Sequence, residues 1–165
     1  MTNEKIEFFE FLLEQFNNAE LYRLALVQAC IIEKMRPTNF ALLVHGSIYD
    51  KFNFYEKTIQ YLDKISEQKK IDDSIITTYD LLFNYGRINY AAEKYETTIS
   101  YWLKNYRMKQ DDAFINHYLG MSYLELGNIG EAKKYFQVNE SMNDKDQMEY
   151  INYSIRELNK LDVLK

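Results

Sequence analysis

The chain is short of nearly everything that marks an enzyme, a secreted scaffold or a nucleic-acid binder. Its 165 residues include one cysteine, one proline, two histidines and five glycines. Cys30, alone, closes no internal disulfide, and its apolar helical surroundings read as those of a small core residue in a reducing compartment. A single proline, Pro37, suits a chain made almost wholly of helices, since an interior proline removes a helical hydrogen bond. The net charge of -5 and the lack of any basic run argue against nucleic acid or an anionic membrane surface as partner. No apolar run is long enough to cross a bilayer. Residues 1–16 carry acids throughout and no cleavage-site pattern, so they do not read as a secretory signal. The expected location is cytoplasmic.

Catalytic chemistry finds no foothold. There is no phosphate-binding glycine loop, no paired cysteine spacing and no HExxH. His45 and His117 fall far apart, and His45 reads as a packed or partly buried side chain. The carboxylate pairs Asp72–Asp73 and Asp111–Asp112 lie between helical runs, where capping explains them better than acid–base work. No catalytic residue, cofactor or metal site is expected, and the chain is not expected to be an enzyme.

What is present is a recurrence. Gly46, Gly86 and Gly120 are each followed twelve residues on by a small side chain (Thr58, Thr98, Ala132) and four beyond that by a large apolar one (Leu62, Trp102, Phe136). Glycine inside a helix costs about 1 kcal/mol relative to alanine, so a recurring glycine implies a recurring close approach of two helices. Gly127 and Gly130 differ: they flank Asn128 between two amphipathic runs, where a positive φ is expected to reverse the chain. Gly86 and Gly120 are 34 residues apart, the period of the tetratricopeptide repeat, whose pattern runs W-x2-L-G-x2-Y, then A-x3-F, then P. The third unit, with Asn116, Leu119, Gly120, Tyr123, Ala132 and Phe136, resembles that family best. The units depart from it in lacking the leading tryptophan (Leu42, Leu82 and Asn116 stand there) and the closing proline, and Asn89 replaces the tyrosine of the second unit. The resemblance covers residues 39–146 and implies an all-α, right-handed superhelical stack of antiparallel helix pairs.

Periodicity and punctuation give about nine helices in one domain. An opening pair, 4–16 and 19–35, is broken at Asn17–Asn18 and belongs to a degenerate N-terminal segment, 1–38. Three repeats follow over 39–146, with helices at 39–51 and 55–68, 74–91 and 95–108, 113–125 and 129–142. Asp73 and Asp112 are expected caps. The 40-residue spacing from Gly46 to Gly86 is expected to lengthen helix 74–91 or the turn before it. A final helix near 145–160, within 147–165, has Tyr150, Tyr153 and Leu158 on one side and reads as a C-terminal cap.

The family resemblance implies that the first helix of each repeat lines a concave groove. The stripes beside the glycine slots then make Phe40, Leu43, Phe83, Arg87, Tyr90, Phe114, His117 and Met121 the expected partner-binding residues, in a largely apolar groove with Arg87 its distinctive cation. Some family members grip a C-terminal carboxylate with Lys, Asn and Arg on these helices. Only Asn84 matches here, beside Leu43, Ser47, Phe114 and Tyr118, which argues against acidic chaperone tails. The expected function is a protein-interaction scaffold of chaperone or adaptor type that takes a peptide or helix of a partner. The alternatives are a self-assembling structural subunit, or a peptide-sensing regulator without a DNA-binding domain. Phe8, Phe9, Phe11, Leu12 and Leu13 form an apolar block wider than one buried stripe, which favours a homo-oligomer through the N-terminal helix.

Overall fold

The computed structural model describes residues 3–68 and 76–163. Among them are nine helices and no strand: α1 Asn3–Asn18, α2 Tyr22–Met35, α3 Asn39–Lys51, α4 Tyr55–Ser66, α5 Thr78–Ala91, α6 Tyr95–Met108, α7 Ala113–Glu125, α8 Ile129–Glu140 and α9 Met148–Val163. The chain divides into two compact units, 1–81 and 82–165, with the division falling inside α5.

Four turns share one construction. Glu20, Asn53, Glu93 and Gly127 each adopt a positive φ, between 57° and 72°. The N–H that follows reaches back five residues, from Leu21 to Phe16, Phe54 to Tyr49, Lys94 to Asn89 and Asn128 to Tyr123, at 2.8–2.9 Å. These are Schellman closures, in which a left-handed residue lets orphan carbonyls of the last helical turn find donors. Asn53, Glu93 and Gly127 each lie seven residues after a repeat glycine. Glu20 occupies the same place, and counting back seven puts Leu13, fully buried, in the glycine slot of the opening pair. The N-terminal pair is thus built with the same turn as the others, although its glycine is gone. Gly130 is not part of this device: it lies inside α8, whose N-cap is Asn128, accepting from the Glu131 N–H at 3.2 Å.

Within the first unit, α1 packs on α2, α2 on α3, and α3 on α4. Leu13, Ala25, Ala29, Ile32, Ala41, Val44 and Ile48 form its core, with Phe9, Phe16 and Phe40 packed against it. Thr38 caps α3 by accepting from the Ala41 N–H at 3.2 Å. In place of a break at Asn17–Asn18, α1 runs through both, and the chain reverses at Ala19–Glu20. Cys30 is exposed and not a core residue, because the buried face of α2 is Ala25, Gln28, Ala29 and Ile32, and Cys30 projects from the other side.

Helix α5 begins at Thr78, so Ile76 and Thr77 belong to the connection and the extra residues of that repeat do not lengthen the helix backwards through them. Thr77 and Asp80 start α5 as a capping box. The Thr77 N–H donates to Asp80 Oδ2 at 2.9 Å, and the Asp80 N–H donates to Thr77 Oγ1 at 3.1 Å. Asp72, Asp73 and the first residues of the expected helix lie outside the described residues. Asp112 caps α7, accepting from the Ile115 N–H at 3.1 Å.

The glycine slots are helix crossings. A Cβ on Gly86 would lie 2.1 Å from Trp102 Nε1, and one on Gly120 would lie 2.3 Å from Phe136 Cε1. The large side chain of the repeat, more than the small one, fills the room glycine leaves. At Gly46 the contact is looser, 3.3 Å to Tyr61 Cβ. The small residue has its own role: Thr58 Oγ1 donates to the Gly46 carbonyl at 3.3 Å, and Thr98 Oγ1 to the Gly86 carbonyl at 3.4 Å.

Candidate functional site: an aromatic face on the second unit

The second unit carries a connected set of half-buried aromatic rings on α5, α7 and α9. Phe83 and Phe114 lie 4.9 Å apart between ring centroids, Phe114 and Tyr118 4.5 Å, Phe114 and Tyr150 4.9 Å, and Tyr90 and Tyr118 4.9 Å. The Tyr90–Tyr118 and Phe114–Tyr150 pairs are edge-to-face, the arrangement that aromatic quadrupoles favour. Trp102, fully buried on α6, holds the set from below. Its ring is 5.9 Å from Phe114 and 5.7 Å from Tyr118, and its Nε1–H donates to the Phe83 carbonyl at 3.2 Å. The Gly86 slot admits this indole, so the glycine that marks the repeat also places the floor of the face.

Burial acts on phenols of this face. Burial pushes the Tyr90 phenol up to about 12, and it raises Tyr150 as well. Tyr90 and Tyr150 thus present apolar surface with hydroxyls that stay protonated and can pair with a backbone.

Below it lies a buried polar network. Asn139 Nδ2 donates to Ser154 Oγ and to the Ala113 carbonyl, both at 2.8 Å. Ser154 Oγ also shares a hydrogen bond with His117 Nδ1 at 3.1 Å. Burial pushes the His117 imidazole down to about 4, so the ring enters this network as a neutral group. Ser154 stands 34 residues after Gly120, a small and fully buried residue in the glycine slot of a further unit begun by α9. Gln147 ties that helix to α7, its Oε1 accepting from the Ala113 N–H at 2.6 Å and its Nε2 donating to the Asp111 carbonyl at 3.0 Å.

The expected groove residues therefore separate. Phe83, Tyr90 and Phe114 come together on one face, and Arg87 is half-buried on the same helix as the first two. His117 is buried at 7 % exposure, turned toward Ser154. Met121 packs with Tyr123 and Leu124 against the cluster of Ala132, Phe136 and Leu158. Phe40 and Leu43 belong to the first unit, where Phe40 packs against the core and Leu43 is half-buried. Tyr118 and Tyr150 complete the face and were not among the expected residues. Tyr118 was legible as the residue four beyond Phe114, on the same side of the helix.

No protein-family model matches the sequence, and no curated protein matches it. Solved structures match by fold. MamA RS-1, as the ArsTM double mutant, superposes with a TM-score of 0.72 at 11 % identity over 100 % of both chains. MamA AMB-1 gives 0.67 at 13 % identity over 98 % of this chain and 86 % of its own, and MamA MSR-1 gives 0.65 at 14 % over 96 % and 89 %. At such identities the likeness is one of fold. Its helices packed in sequence-adjacent pairs, its glycine crossings and its repeated Schellman turns give this chain the all-helical, tetratricopeptide-like fold of MamA.

Proposed function

We propose that the chain is a protein-interaction scaffold of adaptor or chaperone type, not an enzyme, and that its partner binds on the aromatic face of α5, α7 and α9. The observation that carries this is the accessibility of the rings. Phe83, Tyr90, Phe114, Tyr118 and Tyr150 are packed against one another, yet each keeps part of its surface in solvent. Rigid aromatics lose little entropy on binding and supply most of the energy at interfaces. The occupant that suits neutral phenols and apolar rings is a partner segment with apolar anchors, as an extended strand or an amphipathic helix. An acidic tail has little to hold it here. The test is capture from the native cell by wild type and by Phe83→Ala and Tyr150→Ala, followed by titration with the captured partner. Each substitution is expected to weaken binding by about 1 to 3 kcal/mol with less effect on melting temperature. Equal affinity in all three proteins refutes the assignment.

A second reading rests on a different surface. Phe8 and Phe11 on α1, with Leu24, Val27 and Ile31 on α2, are all exposed, Val27 most at 59 %. Phe8 and Ile31 line a common cavity of about 460 Å³ with Glu4, Lys5, Phe9 and Met35. Five such side chains, each roughly half-exposed, offer on the order of 400 to 500 Å² of apolar surface, at the upper end of what a monomer leaves uncovered. That is the apolar centre of a standard interface of about 800 Å² per partner. A second copy of this chain, two-fold related, is the occupant we assign to it.

A further inference from the structure

Cys30 is exposed on α2, yet its Sγ lies 4.0 Å from Nε2 of His45 on α3. The other ring nitrogen, Nδ1, is 2.5 Å from Oε1 of Glu33, which sits on α2 three residues beyond the cysteine. Glu33 is itself held, its Oε2 accepting from Lys64 Nζ on α4 at 3.1 Å. The imidazole is buried and held at Nδ1 by Glu33. It packs in a triangle of near-parallel rings with Tyr61, 4.2 Å from its centroid and 26° from parallel, and Tyr49, at 5.5 Å and 9°, which are themselves 5.7 Å apart.

Hydrogen bonding fixes the tautomer. A carboxylate on Nδ1 requires the proton there, which leaves the Nε2 lone pair directed toward the thiol. Two donors share that lone pair, the Tyr61 hydroxyl at 3.3 Å and the Cys30 thiol at 4.0 Å. Burial lowers the affinity of His45 for a second proton, against the pull of Glu33, so the ring stands as a neutral base. The repeat does not call for this arrangement. The His45 slot holds Tyr85 and Leu119 in the two later units, and a buried histidine held by a half-buried glutamate is a costly way to pack two helices.

We propose that Cys30 is a nucleophilic thiol with His45 as its general base and Glu33 as the residue that positions the base, and that it takes small disulfides. Mid-helix placement selects the reaction class. The backbone N–H groups around Cys30 are spent within α2, so none is free to stabilise an oxyanion, and acyl transfer lacks its main support. Displacement at sulfur needs no such donors. Nε2 accepts the thiol proton, and the Cys30 thiolate attacks one sulfur of R–S–S–R. The Cys30 S–S bond forms as the original S–S bond breaks, and the departing thiolate takes the proton from His45 and leaves as R–SH. With no second cysteine in the sequence there is no resolving thiol, so the mixed disulfide persists until an external thiol reverses it by the same route. The event is a stoichiometric modification and requires no turnover.

The probe is 5,5′-dithiobis(2-nitrobenzoate), whose released thiolate is read by absorbance, with Cys30 as the only reacting group in the full chain. At pH 7 the native protein is expected to react roughly tenfold or more faster than the same chain in denaturant. Replacing His45 risks unfolding the unit, so Glu33→Gln and Tyr61→Phe carry the test. Glu33→Gln is expected to slow the reaction at pH 7 and to converge with wild type in strongly alkaline solution, where hydroxide takes over from the general base. Tyr61→Phe is expected to accelerate it, because the lone pair is no longer shared. A native rate no greater than the unfolded one, or a Glu33→Gln rate that matches wild type at pH 7, overturns the proposal.

Discussion

Adding a single methyl group at each of the three repeat glycines should separate them by packing. In Gly86→Ala the new Cβ would stand 2.1 Å from Trp102 Nε1 and 2.3 Å from Cδ1. Carbon atoms rest at about 3.5 to 4.0 Å, so the indole must retreat by more than ~1 Å. Trp102 is fully buried and bonded to the Phe83 carbonyl, so the retreat strains a packed core and breaks that bond. Overpacking costs about 1 to 3 kcal/mol and a lost hydrogen bond about 1, against a gain of about 1 in helix propensity. The net expectation is a loss of roughly 1 to 3 kcal/mol, and Gly120→Ala, 2.3 Å from the Phe136 ring, should match it. Gly46→Ala meets only Tyr61 Cβ at 3.3 Å, a few tenths too close, so its cost and its propensity gain should cancel to within about 0.5 kcal/mol. Urea unfolding would be followed by circular dichroism and, for the second unit, by fluorescence of Trp102, the only tryptophan. If Gly46→Ala is as damaging as the other two, ring intrusion is not what the glycines permit. Phe136→Leu added to Gly120→Ala should recover part of the loss, since a smaller side chain vacates the space.

Three further outcomes are expected. Glu93→Gly should stabilise by about 0.5 to 1 kcal/mol, because Glu93 holds φ at 58°, where a side chain is strained, and Gly127→Ala should cost about 1 to 2 for the converse reason; thermal melts decide both. His117 is depressed to about 4 from 6.5, so between those values the unfolded chain binds a proton that the folded chain refuses. Stability is therefore full above pH 6.5 and falls by up to roughly 3 kcal/mol as pH drops toward 4, a slope that should shrink by one proton in His117→Gln when unfolding is measured across that range. Val27→Lys, at the most exposed apolar position of α2, should convert a concentration-dependent dimer into a monomer in sedimentation while leaving helix content unchanged; a wild type monomeric at every concentration removes the second-copy reading.

The sequence exposed those features whose physical cost is local. A glycine inside a helical run is expensive wherever it occurs, so the crossings at Gly86 and Gly120 are legible in the sequence, while the intrusion of the Trp102 and Phe136 rings into those slots is not. The Asp112 cap was legible for the same reason. The left-handed turns at Glu20 and Glu93 were not, because glutamate has no preference for positive φ and is held there by the helices on either side. Cys30 was misread because α2 carries two apolar stripes. Leu24, Val27 and Ile31 have the same helical spacing as the truly buried Ala25, Ala29 and Ile32, and periodicity alone does not say which stripe meets a neighbour. The His117–Ser154–Asn139 network joins residues 15 to 37 positions apart, and no single-chain pattern points from one to the next.

A helix face that its neighbours leave open must be polar or be covered. The open face of α9 is polar. α9 buries Ile151, Ser154 and Leu158 and exposes Asn152, Arg156, Asn159 and Lys160, with Tyr153 its one large exposed ring. The open face of α1 and α2 is apolar. Leu13, Ala25, Ala29 and Ile32 are consumed by the core of the first unit, and what remains outside includes Phe8, Phe11, Leu24, Val27 and Ile31. Charged residues do accompany them, with Glu7 and Glu14 on α1 and Arg23 and Lys34 on α2. Those four supply acid on one helix and base on the other, with Lys5 of α1 the exception at the Phe8–Ile31 cavity. A two-fold contact that sets α1 of one copy against α2 of the next would bring opposite charges together at the rim while the apolar side chains meet at the centre, so this pair has the composition of an interface more than that of a cap.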